Sequence, residues 1–157
     1  MTRGSKIFRV GDVPESNATG YPGPFRERNM QRYYRKIGDF GGIKNYGVNL
    51  VRVVPGGQSS CRHAHSKQDE LAYVVSGTLT LETDAGREPV TAGTWVAFPA
   101  GTGDAHRFIN ETSEDATFLV IGDRASDDDV VYPDDDLAIV RDADGKQRFT
   151  RKDGTSY

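Results

Sequence analysis

Two histidines separated by a single residue are the part of this sequence best suited to chemistry. Side chains two positions apart in an extended strand point to the same face, so His63 and His65 can present two imidazoles to one metal ion. The residues 66–69 then form a predicted turn, and Glu70 opens a second β-type run. If that run folds back beside the first, its carboxylate joins the two imidazoles. Imidazoles and a carboxylate are ligands suited to first-row divalent metals.

The remaining histidine, His106, lies in another short strand-like segment. Alternation along that segment places the side chains at 108 and 110 on the same face as His106, and alternation from Glu70 places those at 74 and 76 beside the carboxylate. We therefore expect these positions to line a substrate pocket. The predicted pocket residues are Val74, Ser76, Phe108 and Asn110.

Short strand-like runs separated by glycine and proline turns must position these side chains. The predicted strands are 47–54, 58–65, 70–76, 78–83, 87–91, 94–98, 106–110 and 117–123. Strands of this length with regular turn signals between them favour an all-β barrel or sandwich. On 94–98 the alternation leaves open whether Trp95 and Ala97 or Val96 and Phe98 face inward.

The spacing of the candidate ligands resembles the two sequence motifs of the cupin superfamily. The first motif is matched by Gly57, His63, His65, Glu70 and Gly77, and the second by Gly93, Pro99, Gly101, His106 and Asn110. The gap between Gly101 and His106 is longer than in the usual motif, and Gly103 is a candidate for the glycine role in its place. Longer spans of the chain also resemble a group of small bacterial cupins.

This resemblance implies a double-stranded β-helix, or jelly-roll barrel, that holds one divalent metal ion per chain. The implied ligands are His63, His65, Glu70 and His106. Iron, manganese, zinc, nickel and cobalt remain open as the metal. Similar cupins are dioxygenases, isomerases, decarboxylases and lyases, and others only bind or sense ligands. We expect a metal-dependent enzyme with dioxygenase-like or isomerase-like chemistry on a small polar or anionic molecule. The alternative is a non-catalytic cupin that binds or senses a small ligand.

The barrel is expected to span 47–122, between a mostly irregular N-terminal arm (1–46) that packs on it and an acidic C-terminal extension (123–157). Residues 6–10 are a possible short strand, either exchanged with a partner subunit or laid over the barrel. Residues 142–149 carry a weak hairpin signal at Asp144-Gly145.

Opposite charges mark the two arms. Residues 26–36 hold five basic residues and one acid, and residues 123–136 hold seven aspartates and one arginine. We expect the basic segment to pack near the acidic one or near the mouth of the barrel. The alternative is that its arginines hold an anionic substrate group, because the guanidinium fork matches phosphates and carboxylates.

Composition narrows the functional class. A chain of 157 residues with 36% hydrophobic residues is expected to form one domain with a modest core. The net charge of −3 argues against a general nucleic-acid-binding protein. No apolar run approaches about 18 residues, which argues against a membrane span. The absence of a secretory signal and the single Cys61 favour the cytoplasm.

Two further expectations concern single residues. Cys61 is either a thiolate ligand or, more simply, a small buried filler. Leu71, Tyr73 and Val75 alternate with the inward residues of their strand, so they would form an apolar outer patch. Such patches mark interfaces, and we therefore predict a homodimer.

Overall fold

The computed structural model describes residues 7–142 and 145–157. In chain order the strands are β1 (Glu15–Ser16), β2 (Arg32–Lys36), β3 (Tyr46–Val53), β4 (Ala64–His65), β5 (Glu70–Ser76), β6 (Thr78–Thr83), β7 (Gly86–Thr91), β8 (Trp95–Phe98), β9 (Arg107–Ile109), β10 (Ala116–Asp123), β11 (Val130–Val131), β12 (Ala138–Arg141) and β13 (Gln147–Thr150). The helices are single turns: α1 (Gly23–Arg26), α2 (Ile37–Phe40) and the 3-10 segments Val10–Asp12 and Glu27–Asn29.

Two of the antiparallel sheets formed by these strands close over the main apolar core. The largest sheet has the order β1-β2-β3-β10-β5-β8, and a second has the order β7-β6-β9. Buried side chains from both sheets, among them Val53, Val74, Leu79 and Phe118, pack into a single cluster. The predicted all-β jelly-roll fold is confirmed. None of the helices in the described ranges is long and apolar enough to span a bilayer.

Strand β5, which begins at Glu70, follows the predicted alternation at its centre. On β5, Ala72 and Val74 are fully buried, whereas Leu71 and Val75 face outward. On β8 the structure decides the open alternation: Val96 and Phe98 pack against the core, and Trp95 is exposed.

Gly77 permits the tight connection between β5 and β6. Its φ of 76° lies in the left-handed region that glycine adopts without strain. A Cβ at this position would lie 2.8 Å from the carbonyl oxygen of Asp115 and 2.9 Å from Ala116. Both the conformation and the close approach therefore require glycine here.

The predicted strand at 58–65 is only partly formed. Regular pairing is restricted to Ala64–His65, and the rest is tied by isolated bridges between Gln58 and Ile109 and between His63 and His106. Between those bridges the chain bends so that Cys61 enters a second core with Tyr21 and Leu137. Burial of Cys61 in an aromatic and aliphatic cluster favours the filler interpretation over the thiolate ligand.

The two arms contain more regular structure than the sequence indicates. In the N-terminal arm, β2 pairs with β3 and β1 pairs with β2, so the arm extends the largest sheet. In the C-terminal extension, β13, β12 and β11 form a sheet that ends at β4. The sequence predicts a short strand at 6–10 and a hairpin at 142–149. Lys6 of the first segment and Asp144 of the second lie outside the described residues.

An ion pair joins the basic segment to the acidic one, because Arg28 lies 2.5 Å from Asp135. Two further residues of 123–136 contact residues outside 26–36. Arg124 pairs with Asp39, and Asp134 receives two hydrogen bonds from Arg62, at 2.7 and 2.8 Å. The expected packing of residues 26–36 near 123–136 is therefore confirmed. Exposed pairs of this kind contribute only about 0–1 kcal/mol each.

Candidate functional site

A cavity of about 400 Å³ opens into the barrel. This volume is in the range of small-molecule sites. Its walls combine aromatic and aliphatic side chains with a few polar groups. The lining residues that matter for chemistry are Arg32, Lys36, His63, Glu70, Phe98 and His106.

Backbone pairing brings the distant histidines together. His63 and His106 form a two-way bridge, with N–H to O distances of 3.1 and 2.8 Å. Glu70 is the first residue of β5 and pairs with Phe98 on β8. His65 lies on β4, where it pairs with Val130 of the C-terminal extension.

The three imidazoles converge on one carboxylate oxygen. The Oε2 atom of Glu70 lies 3.0 Å from Nε2 of His106, 3.7 Å from Nε2 of His65 and 3.9 Å from Nε2 of His63. Potential ligand atoms of His63, Glu70 and His106 all lie within 4.8 Å of one another. His65 is not part of this tighter group, although its Nε2 approaches the same Glu70 oxygen.

Groups behind the imidazoles hold the rings in place. Nδ1 of His63 lies 2.9 Å from the carbonyl oxygen of Cys61, so it can only donate to that oxygen. Nδ1 of His65 lies 2.6 Å from Oδ2 of Asp128. The His106 ring stacks on Phe98 with centroids 3.5 Å apart and planes 7° apart.

Burial and charge shape the protonation of the site. Burial lowers the pKa of His63 to about 4, against a smaller opposing effect of Glu70. Burial disfavours the charged form of Glu70, but the His106 hydrogen bond and the neighbouring imidazoles outweigh it and lower the pKa of that carboxyl. At neutral pH the site therefore offers a neutral His63 imidazole and an ionised carboxylate, which are the forms that bind metals.

These observations fit a divalent cation. With Nδ1 of His63 donating to a carbonyl, and Nδ1 of His65 placed to donate to Asp128, each Nε2 presents a lone pair toward the Glu70 carboxylate. Lone pairs and an anionic oxygen that face one another are stabilised by a cation between them. Three imidazoles and one carboxylate are also the donor types that first-row divalent metals prefer.

The predicted pocket residues do not all reach the cavity. Phe108 lines it, whereas Val74 packs deeper in the core with Leu79 and Phe118. Ser76 is exposed at the end of β5, beyond the register shift opposite Thr117 and Phe118. The cavity ends before these positions because the core side chains fill this end of the barrel.

Asn110 is buried but serves the backbone. Its Nδ2 donates to the carbonyl oxygens of Val53 and Glu114, at 2.8 Å each. Its Oδ1 accepts from the backbone N–H of Thr112 at 3.0 Å and from its hydroxyl at 2.7 Å. The side chain therefore fixes the turn before β10 and does not line the cavity.

Asp128 is a site residue that the sequence analysis missed. It is one of the seven aspartates of 123–136, so the composition of this segment gives no sign that Asp128 has a special role. In the structure it is buried, and its Oδ1 accepts from the backbone N–H groups of Lys67 and Gln68, at 2.8 and 3.2 Å. Burial disfavours the charged form of Asp128, but its bonds to His65 and to these N–H groups prevail and lower its pKa.

Comparison with known proteins agrees with this architecture. The sequence profile of the cupin domain matches residues 49–122. Among proteins with curated functions, none is detectably similar in sequence to this chain.

Solved structures give the strongest similarity. A protein from Silicibacter pomeroyi, described as a sugar phosphate isomerase of the cupin superfamily, is 40% identical with a TM-score of 0.90, over 96% of each chain. A protein from Acidithiobacillus ferrooxidans, described as a putative sugar phosphate isomerase, is 32% identical with a TM-score of 0.70, over 76% of each chain. A polyketide cyclase from Streptomyces resistomycificus is 24% identical, with a TM-score of 0.64 over 77% of this chain and 80% of its own, and shares the fold. Its barrel, its paired motifs and this near full-length similarity show that the chain belongs to the cupin superfamily.

Proposed function

We propose that this protein is a metal-dependent isomerase of a small phosphorylated sugar. The observation that carries the proposal is the convergence of His63, His65 and His106 on Glu70 at a cavity of small-molecule size. Support for the reaction class comes from the relatives at 40% and 32% identity, both described as sugar phosphate isomerases. Of the two chemistries expected from the sequence, this similarity favours isomerisation over dioxygenation.

One divalent ion per chain is proposed to be held by His63, His65, Glu70 and His106. When bound, such an ion acts as a Lewis acid that polarises the carbonyl and hydroxyl oxygens of a substrate. The protein contributes orientation and a partly dry environment. Phe98, Phe108 and Phe118 line the cavity and limit the access of water to the reacting carbons. Lower water content strengthens the electrostatic interactions within the site.

The proposed activity is tested with protein that carries a measured, near-stoichiometric content of metal. We expect interconversion of aldose and ketose forms for at least one member of a panel of sugar phosphates. In deuterated water, NMR should show incorporation of deuterium, because isomerisation removes a proton from the carbon next to the carbonyl and adds a proton from solvent to the former carbonyl carbon. The control is the same protein after removal of the metal by a chelator, which should lose both signals. Metal-loaded protein that neither exchanges nor converts any sugar phosphate would contradict the isomerase and leave a binding or sensing role.

We also propose a homodimer formed through the outer face of β5 and β8. Leu71, Val75 and Trp95 are 38%, 46% and 56% exposed, and the Tyr73 ring packs against Trp95 with centroids 4.5 Å apart. Within the described residues, β8 is also the last strand of the largest sheet, and the outer edge of such a strand offers backbone groups that a second copy can cover.

Sedimentation at micromolar concentration is therefore expected to give a species of about twice 17.2 kDa. Trp95→Glu places a charge in the apolar patch and should shift the protein toward the monomer. Val131→Glu is the matched control, because Val131 is 59% exposed but lies on β11, away from this face. A wild-type protein that sediments only as a 17.2 kDa species would contradict the dimer.

A further inference from the structure

Two basic side chains of β2 point into the same cavity as the candidate metal ligands. Arg32, Tyr34 and Lys36 line the cavity, as the alternation of a strand requires for every second residue. The intervening Arg35 lies on the other face, where it donates to the carbonyl oxygen of Val13 and lies 3.6 Å from Glu15. The basic segment 26–36 therefore divides into residues that hold the arms together and residues that face the cavity.

The two cavity-facing cations lack anionic partners. Within residues 7–142 and 145–157, the side chains of Arg32 and Lys36 form neither an ion pair nor a hydrogen bond, and Nε of Arg32 is buried without a partner. Their positive groups both lie over one aromatic neighbour: the Tyr34 ring centroid is 5.1 Å from the Arg32 guanidinium carbon and 6.0 Å from the Lys36 nitrogen. Arginines elsewhere, such as Arg28 and Arg52, are paired with carboxylates. Buried donors are nearly always satisfied in native proteins, so an unpaired one in a cavity indicates a ligand.

The position of these cations suits a substrate that spans the cavity. In the largest sheet, β2 is separated from β5, which carries Glu70, by β3 and β10. Neighbouring strands lie about 4.8 Å apart, so the two backbones are about 14 Å apart along the sheet. Both Arg32 and Glu70 extend long side chains into the space between them. A small molecule can thus place one end at the imidazole cluster and the other at the cations.

We propose that Arg32 and Lys36 form an anion-binding subsite that takes the phosphoryl group of the substrate. The proposal rests on the proposed function for the identity of the anion. Two full positive charges match a phosphate dianion better than a monoanionic carboxylate. The guanidinium fork of Arg32 can bind two phosphate oxygens at once, and the Lys36 ammonium supplies a compact second charge near the mouth. Asn49, which pairs with Lys36 across the strands and lines the same cavity, offers a neutral donor.

Calorimetry that measures the binding of inorganic phosphate to the protein as purified tests the subsite without any need for turnover. Arg32→Gln should weaken phosphate affinity at least about tenfold, since hydrogen bonds to a charged group are lost. Lys36→Gln should weaken it less, because Lys36 is more exposed. Arg32→Lys should restore part of the loss, and Arg35→Gln, which removes the same charge from the opposite face, should retain wild-type affinity. Melting temperatures of all variants confirm that each is folded.

Comparison of substrates separates this proposal from the isomerase itself. In Arg32→Gln, the KM for a phosphorylated sugar should rise with little change in kcat, so the preference in kcat/KM for the phosphorylated sugar over its unphosphorylated form should fall. If wild-type protein shows no isomerase activity but phosphate binding depends on Arg32, the isomerase fails and the subsite stands. If phosphate affinity is the same in wild type, Arg32→Gln and Lys36→Gln, or falls equally in Arg35→Gln, the subsite is overturned. Acetate that binds as tightly as phosphate in an Arg32-dependent way would overturn the assignment to a phosphoryl group.

Discussion

His106→Ala should lose the bound divalent metal, with an affinity more than about 100-fold below that of the wild type. The expected loss exceeds the about 10–100-fold that removal of an outer partner of a metal ligand costs, because a direct ligand is removed. Nε2 of His106 lies 3.0 Å from Glu70, the shortest of the three imidazole approaches. His63→Ala and Glu70→Gln should behave in the same direction. Elemental analysis of protein purified without added metal, followed by titration of the stripped protein, measures the effect.

Asp69→Asn is the matched control for the carboxylate. Asp69 directly precedes Glu70, but it is exposed, and its Oδ1 accepts from the backbone N–H of Ala100 at 2.7 Å. This variant should therefore retain the metal. Full occupancy in both His63→Ala and His106→Ala would rule out the proposed centre. Metal loss that occurs in Asp69→Asn and not in Glu70→Gln would show that the wrong carboxylate is assigned. Circular dichroism of each variant verifies that the barrel is folded.

Asp128→Asn should weaken metal affinity by about 10–100-fold, as expected for a carboxylate that supports a ligating histidine. Asp128 acts through His65: its Oδ2 lies 2.6 Å from Nδ1 and fixes the tautomer with Nε2 unprotonated. An asparagine has nearly the same shape but no charge, so the ring loses this electrostatic support. Competition with a chromophoric chelator gives the affinity, and nitrogen-15 NMR of the imidazole reports the tautomer of His65.

Asp127→Asn separates this positioning role from a general effect of charge. Asp127 precedes Asp128 in the same acidic segment, but it is exposed and pairs with Lys67. Its substitution should leave both the metal affinity and the His65 tautomer unchanged. Equal affinity in Asp128→Asn and wild type would contradict the positioning role, as would an equal loss in Asp127→Asn.

Features encoded by short stretches of sequence were predictable. The bounds of β5 and β6 agree with the predicted strands 70–76 and 78–83, because alternation and the Gly77 turn are properties of neighbouring residues. Likewise, the spacing of His63, His65 and Glu70 across one turn already places three potential ligands close together. The structure brings these residues and His106 to one place, as the motif resemblance implies.

Features that depend on how far a strand stays regular were predicted less well. Extrapolating alternation along β5 and β9 assigned Val74, Ser76 and Asn110 to the pocket. The core fills the barrel at Val74, a register shift precedes Ser76, and Asn110 bonds a turn. The same limitation affected 58–65, where the chain leaves its pairing partner so that Cys61 can be buried in the second core.

The sequence by itself determined the fold class, the candidate ligand set and the opposite charges of the two arms. Each of these follows from residue types and spacings that act over a few positions. Only the tertiary structure decided which charged side chains lie at the candidate site and its cavity. It selects Asp128 among seven aspartates by bringing it to a histidine 63 residues away, and it turns Arg32 and Lys36 toward the cavity while Arg35 faces outward. The physical reason is that a charged side chain acquires its role from its partners and its burial, and both are set by contacts between segments that are remote in the chain.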